Sequence, residues 1–537
     1  MNLRLLPRLR GLLDELADRL EARRAWSLAG LSILYLSVTG LVASYRPLWN
    51  DELYTLYIAR LPGLSDVWAA LSTGAEQTPP FFYVLTRASL ALFGQSELSL
   101  RLPAVAGFWI MALCLFCFVS NRASALYGFV AMLFPLVTGS YYYASEARPY
   151  GLVLGFSGVA LLCWQAATND EGRLLPTAGL GVSLAAAVSC HYQAIFVLLP
   201  LALAEAVRSL ILRRVALRIW AALALSVAPL LGFLPLIERA ASYSSTFWAK
   251  PRWALIPEFY YSLLAPSVMA LLALLVLSAL YPATARSRHH PATHPPAPRP
   301  QELAAAFGFM AIPIVAVVLS MLATGAFTDR YALPAVLGGS LLVAFSARWS
   351  SYDRPAITAI LILALCASFV SLGVKSLVTI ATMREAQAHT IAFLRSEGMS
   401  ELPIAVSDQH AFVSLAHYAP RDIASRLVYL ADPAKALTYL GHNSVERGAL
   451  DLLKPWFHLP IEDYRAYIAS RHRFLVYGSP GHFLNWLLSD LTTSRRTIEL
   501  RGRDHASLLF LVSLTRPPDT ARLSGEPEDV RHRQTQR

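Results

Sequence analysis

Asp51 and Glu52 stand side by side in WNDELYT, just past the first apolar run of membrane length, Trp26 to Tyr45. Two acids beside a membrane are costly for anchoring alone. Such groups serve as proton relays, ion ligands, salt-bridge partners or catalytic bases. Adjacent carboxylates in an extended segment point apart, so one can take a proton while the other orients an acceptor or a neighbouring arginine. Two further polar knots interrupt apolar runs. YASEARPY (Tyr143 to Tyr150) brings Glu146 and Arg148, with Pro149 favouring the start of a helix. TDRY (Thr328 to Tyr331) brings Asp329 and Arg330 beside Tyr331. Charge buried at such places must be paired, and a purely structural Glu146–Arg148 pair is the plain alternative. Arginine forks suit phosphate oxygens, which makes Arg330 and Arg148 candidate phosphate ligands and Lys250 and Arg252 weaker ones. His191, in CHYQA, ends another apolar run. A lone histidine is more often a packed polar residue than a ligand.

The elements that must hold these residues are set by composition. Of 537 residues, 55% are hydrophobic and 15% charged, with mean hydropathy +0.45. Repeated apolar stretches of about 17–25 residues predict an α-helical polytopic membrane protein. About eleven spans are expected: 26–45, 102–119, 124–140, 150–168, 175–190, 192–207, 219–237, 258–281, 303–323, 331–347 and 355–374. The net charge of +11 reads as cytoplasmic Lys and Arg, and nucleic acid is not an expected partner. The five cysteines lie in or at the ends of apolar runs, so neither a disulfide framework nor a zinc site is indicated. Cys114 and Cys117 read as small buried residues rather than a redox pair. The first apolar run lacks a small-residue cleavage site and is expected to remain as a span.

Arginine placement predicts the sidedness. Arg4, Arg8, Arg10, Arg19, Arg23 and Arg24 mark residues 1–25 as a basic cytoplasmic segment. Segment 80–94 is apolar but short, opens at Pro79-Pro80 and carries Arg87. Read as a juxtamembrane helix inside one long outer loop, 46–101, it leaves the other arginine clusters in cytoplasmic loops. Asp51/Glu52, Glu146/Arg148 and Asp329/Arg330 then share the outer face with loop 238–257 and its Lys250. QTPPFFYVLTR reads as an interfacial helix, or as a wall that guides a lipid toward the acids. The Pro- and His-rich segment 287–301 reads as a flexible cytoplasmic linker. The transmembrane domain is expected to span 26–374. Beyond it, LPIAVSD, RLVYLA, RFLVYG, RTIELR and SLLFLVSL alternate with helix-like stretches 384–397 and 481–491. They predict a soluble, extracytoplasmic α/β domain over 375–516 and a disordered tail over 517–537. No Gly-rich phosphate loop is present.

In order, WNDELYT, QTPPFFYVL, FGQSELSLRLPAVAG, YASEARPYGL and DRYALPA resemble the C-class (GT-C) integral-membrane glycosyltransferases. The resemblance covers residues 26–350. It is nearest to the family-39-like group of protein mannosyltransferases and aminoarabinose lipid A transferases. It implies a cytoplasmic N-terminus, a first outer loop with juxtamembrane helices, and a polyprenyl-phosphate-sugar donor. Asp51 matches the acid proposed as catalytic base, and Glu52 its acidic neighbour. Arg101 of the RLP motif, Glu146 with Arg148, and Arg330 with Tyr331 match charged family positions near the site, and Tyr150, His191 and Lys250 join the substrate-binding candidates. Gln77 stands where relatives often carry His or Lys, and EARPY where the aminoarabinose transferases carry an Asp; that enzyme's substrate is therefore not transferred.

The implied chemistry is an inverting displacement at the outer face of the cell (inner) membrane, with Asp51 deprotonating an acceptor hydroxyl. The expected partners are the donor, a lipid, glycan or protein acceptor, and membrane lipids. No cofactor is expected, although some C-class relatives use a divalent metal. Two other readings are a transporter or flippase of lipid-linked sugars and a noncatalytic subunit of envelope polysaccharide assembly. A transporter calls for midplane charges and inverted repeats, whereas the charges here sit at span ends.

Overall fold

In the computed structural model, residues 5–170, 173–269, 271–272, 298–350, 355–397, 399, 401–494 and 496–514 are described. Among the described residues, seven helices are long and apolar enough to cross a membrane: Arg24–Tyr45, Glu97–Ser120, Tyr150–Asn169, Tyr192–Leu212, Leu217–Ala241, Pro300–Thr324 and Pro355–Ser396. The protein is a multi-pass membrane protein. The expected runs 175–190 and 331–347 form shorter helices, Leu174–Cys190 and Ala335–Ser350. Run 258–281 is described only at its start, as Leu255–Leu264 and a turn at Ala265–Ser267. Most of segment 287–301 and the tail beyond Leu514 lie outside the described residues.

One expected span is corrected. Run 124–140 is not straight: Ala125–Val137 and Gly139–Ser145 meet at 78°. Pro135 lacks the N–H that would continue the helix, and the chain tightens there into a 3₁₀ turn, Phe134–Val137. At Gly139 a Cβ would stand 2.3 Å from the Ser262 carbonyl oxygen, so only glycine passes. The bend turns the chain across the end of the bundle and delivers Glu146 and Arg148 there.

Segment 80–94 does form a separate short helix, Pro80–Phe93, with Pro at its first position. Spans Glu97–Ser120 and Tyr150–Asn169 pack backbone against backbone. A Cβ on Gly107 would meet the Gly151 carbonyl oxygen at 2.4 Å, and one on Gly155 the Gly107 carbonyl oxygen at 2.5 Å. Bare backbones in contact are the usual solution where lipid removes the hydrophobic drive between helices. This contact fixes Arg101 and Tyr150 relative to each other.

Helix Pro355–Ser396 runs 42 residues, about 63 Å at 1.5 Å per residue. It passes straight through the expected boundary at 375, and the stretch 384–397 belongs to it rather than to a separate helix. The domain that follows holds a six-stranded sheet: β1 (Ile404–Val406), β2 (Leu427–Ala431), β3 (Ile461–Asp463), β4 (Arg473–Gly478), β5 (Arg496–Asp504) and β6 (Ser507–Leu514). The order is β3-β2-β1-β4-β6-β5. The first four strands run parallel, and β6 and β5 add an antiparallel edge. Strands β1 and β2 are buried along their whole length, which is why they read as unbroken apolar runs.

The sheet domain does not stand apart from the loop 46–101. Leu53, Leu56 and Ile58 of helix Asn50–Ala59 share a core with Phe412, Val413 and Leu415 of helix Gln409–Tyr418. The Leu48 N–H donates to the Tyr418 hydroxyl at 2.7 Å, which in turn donates to Glu97 at 2.7 Å.

Candidate active site

Helix Asn50–Ala59 places Asp51 in its first turn, where exposed N–H groups and the helix dipole favour negative charge. Its neighbour across the site is Arg330, in the short 3₁₀ turn Asp329–Ala332. Arg330 Nη1 donates to Asp51 Oδ2 at 2.7 Å. Both side chains keep partial access to solvent, 18% and 21%. Burial pushes the Asp51 carboxyl up, but the charges of Arg330 and Arg148 outweigh it and hold the group below its ordinary range. The Arg330 guanidinium also lies over two rings, Tyr150 at 5.8 Å and Trp49 at 6.0 Å.

Around this pair opens a cavity of about 480 Å³, lined by Asp51, Arg148, Tyr150, His191, Arg330 and Tyr331 among others. Three separate chain segments expected to converge do converge. The rings of Tyr150 and Tyr331 each stand 5.3 Å from that of His191. His191 Nδ1 accepts the Gln193 N–H at 3.2 Å. That bond assigns the neutral tautomer with its proton on Nε2. Burial, then the charges of Arg148 and Arg330, push the imidazole down to about 3, so it stays uncharged.

Arg148 lines the cavity but is already engaged. Its Nη1 and Nη2 donate to the two oxygens of Glu76 at 3.1 and 3.2 Å. Nη1 also reaches the Asp51 backbone carbonyl at 3.4 Å. Glu76 was missed in the sequence: attention falls on Gln77, one residue on, because Gln77 departs from the motif. Thr78 holds the acid in place, its hydroxyl donating to Glu76 Oε1 at 2.5 Å.

Four expected site residues stand away from the cavity surface. Glu52 is fully buried, and both its oxygens are taken. Oε1 accepts from Arg101 Nε and the Ala147 N–H, each at 2.7 Å, and Oε2 from Arg101 Nη2 at 2.6 Å. It holds the Asp51 helix to the Glu146–Arg148 loop and is not placed to take a substrate proton. Arg101 is equally buried. Its remaining donors go to the carbonyls of Ala43, Arg46 and Pro47, which leaves none for a substrate. Lys250 donates to the carbonyls of Ser244 and Ser245 at 3.0 and 2.7 Å and is absent from the cavity wall. Glu146 sits behind Trp49, whose Nε1 donates to its Oε1 at 2.8 Å. Its Oε2 is buried with no hydrogen-bond partner among the described residues. Burial pushes this carboxyl up to about 7.

The C-terminal domain completes the wall with Gln409, His410, Ser444, Val445, Phe483 and Leu484. The His410 ring meets that of Trp49 edge-on at 6.5 Å. Burial lowers its pKa, against the pull of Asp51. No sequence motif marks these residues; only docking of the domain brings them to the site.

The fold is matched among solved structures. The apo crystal structure of ArnT from Cupriavidus metallidurans superposes with a TM-score of 0.56 at 13% identity, covering 91% of this chain and 98% of that one. The chain has the ArnT fold. A second ArnT structure, bound to undecaprenyl phosphate, gives a TM-score of 0.53 with the same identity and coverage. No family model and no curated protein matches the sequence. A helical membrane bundle followed by a C-terminal sheet domain, the fold expected from the sequence, is thus shared with ArnT. The likeness to ArnT runs through both the helical bundle and the domain that roofs the cavity.

Proposed function

We propose that the protein is an integral-membrane glycosyltransferase that moves a sugar from a polyprenyl-phosphate donor to an acceptor hydroxyl. The observation that carries this reading is the Asp51–Arg330 pair, a carboxylate and an arginine fork presented together in one roofed cavity. The ArnT neighbour bound to undecaprenyl phosphate supports the class of lipid donor.

Arg330 is the better phosphate ligand of the two cavity arginines, because Arg148 is held by Glu76. The acceptor oxygen attacks the anomeric carbon as its proton passes to Asp51. The bond from that carbon to the phosphate oxygen breaks, and its electron pair leaves with the polyprenyl phosphate. Attack opposite the leaving group inverts the anomeric centre. A phosphate is stable as it leaves and needs no proton donor. Arg330 and Arg148 stabilise the negative charge that develops.

Donor binding and base strength are linked through Arg330. While Arg330 pairs with Asp51, the carboxylate is ionised but weakly basic. A phosphate that draws the guanidinium toward itself relieves that pairing and raises the proton affinity of Asp51. The base then strengthens with the donor in place. Glu52 and Arg101 are positioning residues in this scheme.

The clustered arginines of the N-terminal segment and of the alternate loops support an inner-membrane orientation with the N-terminus cytoplasmic and the cavity and sheet domain outside. The acceptor is a lipid, glycan or protein hydroxyl. The test is transfer by the full-length protein in liposomes from labelled polyprenyl-phosphate sugars, with wild type beside Asp51→Asn. Asp51→Asn is expected to fold, bind donor and lose transfer by at least ~100-fold. Undiminished transfer would remove Asp51 as the base.

A further inference from the structure

Three side chains converge where the long helix meets the sheet, and none of them lines the cavity. His389 lies in the last turns of helix Pro355–Ser396, Asp504 ends β5, and His505 follows in the turn to β6. His389 Nδ1 stands 2.8 Å from Asp504 Oδ1, and His505 Nδ1 stands 2.9 Å from the same oxygen. One donor atom from each residue lies within 4.8 Å of the others. Two imidazoles and a carboxylate are the ligand types that suit zinc and its neighbours in the first transition row. Ligand atoms about 2.0–2.2 Å from a tetrahedral ion sit about 3.3 Å apart, so small outward shifts admit one.

The carboxylate is oriented for the task. Asp504 is 2% exposed. Its Oδ2 accepts from the Thr390 hydroxyl at 2.6 Å and the Tyr477 hydroxyl at 2.7 Å, leaving Oδ1 for the two histidines. Hydrogen-bonded partners behind a carboxylate are the usual support of a metal ligand. The backbone contributes as well. His505 has φ of 52°, a left-handed conformation uncommon outside glycine, and this folds its imidazole back over Asp504. A bulge between Leu500 and Gly502 bends β5, and Gly502 lets it press on the helix. A Cβ at Gly502 would stand 2.8 Å from Phe393 Cε2. Both histidine side chains remain more than half exposed, which gives an ion a path in and water a place in the coordination.

We propose that His389, Asp504 and His505 bind one divalent transition-metal ion of the zinc class, with water completing the site, and that the ion fastens the sheet domain to the long helix. This departs from the sequence expectation, which indicated no metal. The ligands come from two positions 115 residues apart and form no spaced motif. Without an ion, the same atoms make a hydrogen-bonded triad in which both imidazoles donate to one oxygen.

The test uses full-length protein without a histidine tag, purified in detergent, stripped with a chelator and dialysed against micromolar free Zn²⁺. Wild type is expected to retain one equivalent more zinc than His389→Gln or His505→Gln. Zinc is expected to raise the unfolding temperature of wild type and to leave that of both variants unchanged. Thr390→Val, which removes one support of the carboxylate, is expected to weaken zinc binding about 10-fold. Equal zinc in wild type and both variants overturns the proposal. If neither histidine variant folds, an unchanged zinc affinity in Thr390→Val overturns it instead.

Discussion

Arg330 reaches Asp51 across 279 residues of sequence, Nη1 to Oδ2 at 2.7 Å. The pair ties the last polar knot to the first and puts the guanidinium fork and the Asp51 carboxylate within one hydrogen bond. Replacing Arg330 by Lys keeps a charge and loses the fork. Arg330→Lys should raise the KM for a polyprenyl-phosphate donor by roughly 10–100-fold, the equivalent of one charged hydrogen bond. Initial rates against donor concentration measure this. A KM unchanged from wild type would assign phosphate binding elsewhere.

Glu52 and Arg101 form an ion pair with both side chains fully buried, Nη2 to Oε2 at 2.6 Å. Removing one partner strands the other charge away from water. Glu52→Gln should therefore cost about 3–5 kcal/mol of stability. Thermal unfolding in detergent reads the loss, and transfer per folded molecule should fall much less than it does in Asp51→Asn. A large drop in turnover with unchanged unfolding would return Glu52 to the reacting groups.

Glu146 gives the protein a pH dependence of definite sign. Its carboxyl stands near 7 in the folded protein against an ordinary 4.5. Between those values the folded state binds more protons than the unfolded chain, so stability falls as pH rises through the window. Glu146→Gln keeps an acceptor for Trp49 and removes the titration. The variant should be more stable than wild type by about 3 kcal/mol at pH 8 and equal to it near pH 4. Unfolding temperatures across pH 4–8 test this; parallel curves would contradict it.

The contact at Gly107 tolerates no side chain, since a Cβ would lie 2.4 Å from the Gly151 carbonyl oxygen. Gly107→Val should push helix Glu97–Ser120 off Tyr150–Asn169 at a cost of at least about 1–3 kcal/mol. Lower unfolding temperature and poorer recovery of monodisperse protein are the expected readouts.

The helices and the convergence of the polar knots could be read from the length of the apolar runs and from arginine placement. The individual roles could not. Glu52 and Asp51 are neighbours in the chain, yet a helical turn sends one into the protein beside Arg101 and the other into the cavity. Charge type alone does not reveal that difference. Lys250 looked like a phosphate ligand because nothing in a sequence shows that nearby carbonyls absorb its ammonium. Glu76 was hidden by its neighbour Gln77. The boundary at 375 reads as a change of composition, but helix-forming residues such as Met383, Glu385 and Ala386 carry the same helix through it. His410 and Phe483 reach the cavity only because a domain folded from distant strands docks there, a contact with no local signature.

That docking sets a timetable for synthesis. The Leu48 N–H waits for the hydroxyl of Tyr418, 370 residues downstream. At about 5–20 residues per second, the ribosome takes roughly 20–75 s to cover the interval. Through that period the first acids are made while the roof above them is not. The wall supplied by Gln409, His410, Ser444, Phe483 and Leu484 is therefore the last part of the cavity to be made.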